Sequence, residues 1–354
     1  MVRRRQRPSG SLEPRAEAIL RAVIEEYVAT AQPVGSHALV ERYDLGVSSA
    51  TVRNVLADLE SAGFLSHPHT SAGRVPTDAG YRLYVETLAP AVSLAPVEQL
   101  MIRHQFGQVE FASEQWFRLA ATTLAGITHA AGLATPAKPR ACRIRRVDLV
   151  ANSSRTASLV VVLAEGSVKQ ELLPLDEPHD QRQLDEIAAQ LNAQLIDASS
   201  RQVGRRLEEL AAQSEAPPLA VVAARRVERL MREFDAAAVA DVFSDGLLYV
   251  MEEPEFAESQ TLRRVFGALQ DRDYLGGLLR RVSGGGQVQV LIGGENPARE
   301  MRNVSLVLAP YGRPGRAMGV VGVLGPTRMA YPQAIGSVRY VSGLMNELVE
   351  QLYR

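Results

Sequence analysis

Residues 48–54 of the chain read Ser-Ser-Ala-Thr-Val-Arg-Asn. A guanidinium such as that of Arg53 can fork onto O6 and N7 of guanine, and an amide such as that of Asn54 can pair bidentately with adenine. The hydroxyls of Ser48, Ser49 and Thr51 suit phosphate instead, because the first turn of a helix offers free N–H groups and the positive end of its dipole. A second polar cluster follows, with His67, His69, Thr70, Ser71, Gly73 and Arg74 inside Ser66–Val75. Its side chains can reach sugar-phosphate, and Gly73 lets the backbone come close. A third cluster, Arg3, Arg4, Arg5 and Arg7, has the composition of an arm that adds salt-dependent phosphate affinity. Plainer readings stand beside these. Arg53 and Asn54 are also what a solvated helix face carries, and the arginine run is also what a solubilising tail carries. His67-Pro68-His69 has the look of a metal pair, but one cysteine and no neighbouring carboxylate cluster leave it incomplete, so the histidines read as loop residues and no metal or cofactor is expected.

The elements around these residues decide between the readings. Apolar residues at Ala16, Ile19, Leu20, Val23, Ile24, Tyr27 and Val28 fall at helical spacing and predict an amphipathic helix over 11–30. Gln32-Pro33-Val34-Gly35 ends it. Ser36 is placed to cap a short second helix through Leu39, Val40 and Tyr43. A turn at Asp44-Leu45-Gly46-Val47 leads to Ser48, which caps a third helix with Val52, Val55, Leu56 and Leu59 inward and Gly63 at its end. Two short extended pieces spanning Leu65–Val75 read as a hairpin, and Thr77 caps a further helix, Asp78 to Leu88. Helix, helix, tight turn, helix, hairpin is the order of a winged helix-turn-helix, in which the third helix enters a major groove and the second braces it.

Composition excludes other classes. The chain has 354 residues, 39 basic and 40 acidic side chains and a net charge of −1, with 46% hydrophobic residues. That is ordinary for a globular chain of two or three domains and argues against a wholly basic nucleic-acid coat protein. Residues 1–90 hold ten arginines, no lysine and ten carboxylates. Any DNA affinity there must come from a few placed cations, namely the arm, Arg53 and Arg74, rather than from bulk charge. The single cysteine, Cys142, excludes an internal disulfide and a multi-cysteine zinc site. No apolar core follows the basic N-terminus and no apolar run is long enough for a bilayer, so cytoplasm is the expected compartment. Ser283–Gly286 and Ile292–Asn296 are glycine-rich but lack the Lys-Ser/Thr of a phosphate loop. No nucleophile elbow, zincin helix or kinase set occurs. The chain reads as a non-enzyme.

Beyond Pro90, residues 96–133 read as largely helical. Strands follow at Arg145–Ala151, Ser158–Glu165 and Val168–Leu175. Ala/Arg/Glu-rich helices, broken at Pro217-Pro218, run from Gln181 to Phe234. Three β-rich runs, Val288–Ile292, Val304–Ala309 and Met318–Leu324, precede a terminal helix from Ala334 to Leu352.

Gly46–Leu65 resembles the third helix of many bacterial regulators, which alone is unspecific. His67-Pro68-His69-Thr70-Ser71-Ala72-Gly73-Arg74-Val75-Pro76-Thr77-Asp78-Ala79-Gly80-Tyr81-Arg82 narrows the field: it resembles the wing and following helix of the heat-inducible transcription repressor family, HrcA. The resemblance is strong to about Leu88 and diffuse beyond. It implies an α+β multidomain chain: a winged helix-turn-helix over 1–90, then a GAF-like α/β domain (91–180 and 266–354) carrying an inserted dimerising region over 181–265. It further implies a homodimer that binds an inverted-repeat operator of chaperone genes in double-stranded DNA, with activity maintained by the GroE chaperonin. The helices of 181–234 could supply the twofold axis a palindrome needs, or could be ordinary packing within a domain. A regulator with the same head whose GAF-like domain senses a small molecule is the alternative.

Overall fold

Helix α1 (Pro14–Thr30) opens on a proline in its first turn, where the missing N–H costs nothing. The structure is a computed structural model that describes residues 12–68, 73–90, 92–109, 113–137, 142–164, 166–212, 217–237, 242–256, 259–271, 274, 277–278, 281–282, 287–313 and 317–352. The fold is mixed α+β and divides into two units. The first comprises Met1–Pro136, Val242–Gly312 and Gly319–Arg354, and the second comprises Ala137–Asp241 with Arg313–Met318.

In the first unit, α1 buries Ile19, Leu20, Val23 and Ile24, the stripe its spacing predicts. Helix α2 (Ser36–Arg42) follows, with Gly35 at its N-cap. The sequence pointed to Ser36 as the cap, but Ser36 is already helical and its hydroxyl is turned to Ser49 Oγ at 3.1 Å. Arg42 of α2 pairs with Glu26 of α1, whose side chain is almost fully buried. Gly46 turns the chain at φ +62°, and α3 (Ser49–Ser61) begins on Ser48, whose Oγ accepts the Thr51 N–H. Val52, Leu56 and Leu59 are buried, while Val55 is half-buried. Gly63, at φ +83°, ends the helix in the left-handed conformation that side chains resist.

Strands β1 (Leu65–Ser66) and β2 (Val75–Pro76) pair antiparallel, Leu65 opposite Pro76 and Ser66 opposite Val75. Thr77 caps α4 (Asp78–Leu83) by accepting the Gly80 N–H at 3.2 Å and donates to Gly63 O at 2.7 Å. The helix predicted to Leu88 loosens into a π turn over Tyr84–Leu88.

Helices α5 (Pro96–Gln108) and α6 (Ser113–Thr128) lead into β3 (Ala131–Ala134). The sequence reading carried helix through to Leu133. The apolar run Ala-Gly-Leu-Ala instead enters a sheet, where it is buried throughout. A Cβ at Gly132 would lie 1.9 Å from Ala121 O, so only glycine lets α6 lie this close. The remaining strands of that sheet are β7 (Phe243–Asp245), β8 (Gln289–Leu291), β9 (Val304–Arg313) and β10 (Ala317–Pro326), in the order β7-β3-β10-β9-β8. Helices α10 (Leu247–Met251) and α11 (Ser259–Gln270) follow β7, and α12 (Tyr331–Leu352) closes the chain.

Helix α4 is fastened to this sheet region. Arg82 donates from Nε to Glu295 Oε1 at 2.8 Å, from Nη2 to Val290 O at 2.7 Å and from Nη2 to Glu295 Oε2. Four residues earlier on the same helix, Asp78 accepts the Gly294 N–H at 2.8 Å. The glycine turn 292–296 therefore cradles an anion, but the anion is the chain's own carboxylate. Elsewhere in the sheet region, Arg328 pairs with Glu253 and Glu255.

The second unit is an antiparallel meander, β4 (Ile144–Ser153), β5 (Thr156–Leu163) and β6 (Val168–Pro174), with α7 (Gln181–Leu195), α8 (Ser200–Ala212) and α9 (Pro218–Ala237). Val147, Leu149, Leu159 and Val161 share one core with Leu184, Leu191 and Val227. This unit takes in 137–241 together with 313–318. Strands β4, β5 and β6 bury their apolar side chains against α7 and α9 rather than joining the five-stranded sheet. Cys142 lies buried in the same core.

Candidate nucleic-acid interface

The outward face of α3 carries Ala50, Arg53, Asn54, Ala57 and Asp58, all exposed. They occupy the side opposite Val52, Leu56 and Leu59, so the burial that fixes the helix also fixes which residues it displays. Arg53 and Asn54 sit on adjacent positions of the first turns, and neither makes a side-chain hydrogen bond or ion pair to another described residue. Their polar groups are available to a ligand.

The hydroxyls at the start of α3 are differently placed. Ser48 Oγ caps the helix, lying 3.3 Å from the Thr51 N and 3.1 Å from Thr51 Oγ1. Ser49 Oγ meets Ser36 Oγ at 3.1 Å, which ties the start of α2 to the start of α3. Of the three, Ser49 reaches α2, while Ser48 and Thr51 bond each other at the start of α3.

The hairpin is fixed to α3 by one carboxylate. Glu60, near the end of α3, meets His67 Nδ1 with one oxygen and, as an ion pair, stands 2.8 Å from Arg74 Nε with the other. The Arg74 side chain is only 19% exposed. The backbone is pinned too: Val34 and Arg74 exchange both N–H···O bonds at 2.9 Å, so the segment between α1 and α2 adds a bridge to β2. Gly73 sits against that segment, and a Cβ there would lie 2.5 Å from the carbonyl of Val34. The close approach that Gly73 permits within the chain is to Pro33 and Val34. Spacing gave no signal for Glu60. A carboxylate on a helix expected to face DNA is the one hint, since an acid at that place needs a cation close by.

His69, Thr70 and Ser71 of the hairpin tip and Arg3, Arg4, Arg5 and Arg7 of the arm lie outside the described residues. The structure thus brings Ser48, Ser49, Thr51, Arg53, Asn54, His67, Gly73 and Arg74 into one region built from α2, α3 and the hairpin. It leaves Arg53 and Asn54 open and gives His67 and Arg74 an internal partner.

A cavity of about 440 Å³ opens elsewhere in this unit, among α1, the segment after Pro90 and the start of α12. Val28, Tyr84, Val92, Leu94 and Met329 make it mainly apolar, with Glu25 and Glu98 as its carboxylates. Burial pushes the Glu25 carboxyl up from its ordinary value, against the opposing charge of Arg21, and pushes the Tyr84 hydroxyl up to about 12. Among the described residues no helix is long and apolar enough to cross a membrane, and no cluster of His, Cys, Asp and Glu has the makings of a metal site.

The chain is similar to known proteins over nearly its whole length. Residues 114–335 match the family profile described as HrcA protein C terminal domain. Over 346 residues the chain is 43% identical to a heat-inducible transcription repressor HrcA of Roseiflexus sp. (strain RS-1), covering 97% of this chain and 96% of the relative. A protein of the same description from Chloroflexus aurantiacus is 42% identical over 360 residues, covering 98% and 96%. One from Geobacter sulfurreducens is 34% identical over 340 residues, covering 96% and 98%. A crystal structure described only as a hypothetical protein superposes with a TM-score of 0.61 at 22% identity, covering 96% of this chain and 99% of that one, and so shares the fold.

Proposed function

The chain belongs to the heat-inducible transcription repressor family HrcA, and on that premise we propose that α3 and its hairpin form a winged helix-turn-helix that reads an inverted-repeat operator of chaperone genes as a homodimer. Membership makes it a transcription repressor rather than an enzyme. The observation that carries the DNA reading is the free, exposed pair Arg53 and Asn54 on α3, beside a hairpin clamped to the same helix by Glu60. Arg53 and Asn54 read base edges. Ser48, Ser49 and Thr51 present hydroxyls and N–H groups to phosphate at the helix start. In this reading His67 and Arg74 hold the wing in place through Glu60, while its tip (His69, Thr70, Ser71) and the arm (Arg3, Arg4, Arg5, Arg7) supply phosphate contacts.

The five-stranded sheet with its helices serves as the GAF-like domain, and the unit spanning 137–241 as the inserted dimerising domain. The twofold axis of the homodimer matches the palindrome of its site. Maintenance of activity by the GroE chaperonin rests on the family resemblance alone, as does action in the cytoplasm. Footprinting on an inverted repeat upstream of chaperonin genes tests the reading. Protection is expected, falling steeply with salt as phosphate contacts release counterions. Absence of protection, or protection untouched by Arg53→Ala combined with Asn54→Ala, would sink it.

The cavity lined by Val28, Tyr84 and Met329 favours a second reading, in which a small, largely apolar ligand modulates the repressor. Calorimetry of the full chain against a metabolite panel separates the two. Tight, specific heat of binding supports the second reading, and its absence leaves temperature and chaperonin as the inputs.

A further inference from the structure

The cavity among α1, the segment after Pro90 and the start of α12 pairs apolar walls with charge of one sign. Val28, Val92, Leu94 and Met329 supply the walls, and Glu25 and Glu98 also line it, with no arginine, lysine or histidine beside them. The walls are held by contacts of their own. Where the segment after Pro90 meets α12, a Cβ on Gly336 would stand 2.3 Å from Val92 O, so only glycine lets the two pack this closely. The Tyr331 hydroxyl is already satisfied by Ser305 Oγ and Thr327 O, each at 2.7 Å.

The two carboxylates differ. Glu98 is half used, since one of its oxygens accepts the Ala95 N–H at 2.9 Å at the start of α5. Glu25 makes no hydrogen bond or ion pair among the described residues. Arg21, one turn before it on α1, attracts it through charge at a distance, but burial outweighs that attraction and raises the carboxyl from its ordinary value. A half-buried carboxylate without a partner is unfavourable, and a cation beside it removes the penalty.

We propose that this cavity binds a small organic cation, its ammonium head on Glu25 and its apolar body among Val28, Tyr84 and Met329. The inference rests on the second reading above and gives that ligand its chemical class. A volume of about 440 Å³ suits a small molecule, and the Tyr84 ring adds a surface to which cations are attracted. Other occupants fit the lining less well. An anion meets two carboxylates and no balancing cation. A neutral apolar molecule leaves Glu25 unpartnered and takes away more of its water. A hard metal ion needs about six oxygens, and no cluster of His, Cys, Asp and Glu suited to a metal occurs among the described residues. A cation seated here touches α1, the segment after Pro90 and α12 at once, so its binding strengthens the hold between them.

Calorimetry of the full chain with phenylbutylammonium, phenylbutanol and phenylbutanoate provides the test. The three share one apolar body and differ in the charge of the head. The ammonium is expected to bind about tenfold tighter than the alcohol, as a hydrogen bond to a charged group implies, with the carboxylate weakest. Glu25→Gln should abolish that preference without lowering the melting temperature, because it removes a charge that burial disfavours. Glu98→Gln, whose amide oxygen can still accept the Ala95 N–H, should keep most of the preference. An alcohol that binds as tightly as the ammonium overturns the cation class and leaves an apolar ligand standing. An ammonium preference unchanged in Glu25→Gln overturns Glu25 as its seat. No binding of any of the three, by heat or by a shift in melting temperature, overturns the second reading along with this one.

Discussion

Replacing Arg82 by alanine removes the fork that fastens α4 to the glycine turn of the sheet region. The structure sets the size of the effect. Three hydrogen bonds disappear, two to the Glu295 carboxylate and one to Val290 O. Hydrogen bonds involving a charged group contribute about 1.5–3 kcal/mol net each when well enclosed, but the side chains are 29% and 31% exposed and solvent screens the pair. A loss of about 2 kcal/mol in total is expected. In a unit of ~150–250 residues that lowers the melting temperature by about 4–8 °C. Arg82→Lys keeps the charge but not the planar fork, and should recover about half.

The pH dependence has a defined sign. Burial alone would raise the Glu295 carboxyl, but the Arg82 fork, the Ile292 N–H and the charges of Arg82 and Arg281 outweigh it and hold the group below its ordinary value. A carboxyl depressed in the folded state stabilises fully above its unfolded value of about 4.3, and that contribution is lost as pH falls through the folded value. The gap in stability between the parent and Glu295→Gln should therefore be constant from neutral pH down to about pH 5 and close on further acidification. Scanning calorimetry of Arg82→Ala, Glu295→Gln and the double variant gives the coupling directly. A melting shift under about 1 °C for Arg82→Ala, or a coupling energy below about 0.5 kcal/mol, would refute the argument that this pair fastens α4.

Arg53→Ala and Asn54→Ala should each weaken operator binding by about 1–3 kcal/mol in anisotropy titrations. Neither should move the melting temperature noticeably, since both side chains are exposed and unpaired among the described residues; a large stability loss would reassign them to the fold. Arg74→Ala should leave the slope of log affinity against log salt unchanged, because Glu60 already neutralises this cation inside the protein, whereas loss of a phosphate-contacting cation lowers that slope by about 1. Gly73→Ala should destabilise by about 1–3 kcal/mol, as overpacking does, since its Cβ would stand 2.5 Å from the Val34 carbonyl; melting curves of the full chain report it, and a neutral result would mean the hairpin can shift away from Val34 freely.

Local features of the first 90 residues were legible in the sequence because local rules set them. Ser48 and Thr77 cap the helices they precede, and Gly46 and Gly63 take positive φ where turns need it. The inward stripe Val52, Leu56, Leu59 left Arg53 and Asn54 outside, as periodicity requires. Pairings distant in sequence were not legible. Nothing in the order of residues says that Glu60 grips Arg74, or that Gly73 is small on account of Val34. Ala131–Ala134 continued the apolar pattern of α6, and four small or aliphatic residues suit helix and buried strand alike, so only the partners on either side made it a strand. The core that the second unit's strands join was not legible for a related reason. Strands β4, β5 and β6 look like any strands, and which core they enter is decided by the helices that cover them.

The register of β3 with β7 has one more consequence. Ala134 lies opposite Phe243, and Gly132 opposite Asp245, so the chain leaves the sheet and re-enters it on adjacent antiparallel strands. Seen from the sheet, everything between is a hairpin connection that has grown into a folded body of its own. Loop-closure entropy rises only with the logarithm of length, by about 0.6 kcal/mol per doubling, so an insert of this size costs the strand pair about 3 kcal/mol more than a tight turn. A turn of a few residues joining Pro136 to Val242 would therefore restore an ordinary β-hairpin, and the shortened protein offers a way to excise one module of this repressor while the strands that frame it stay paired.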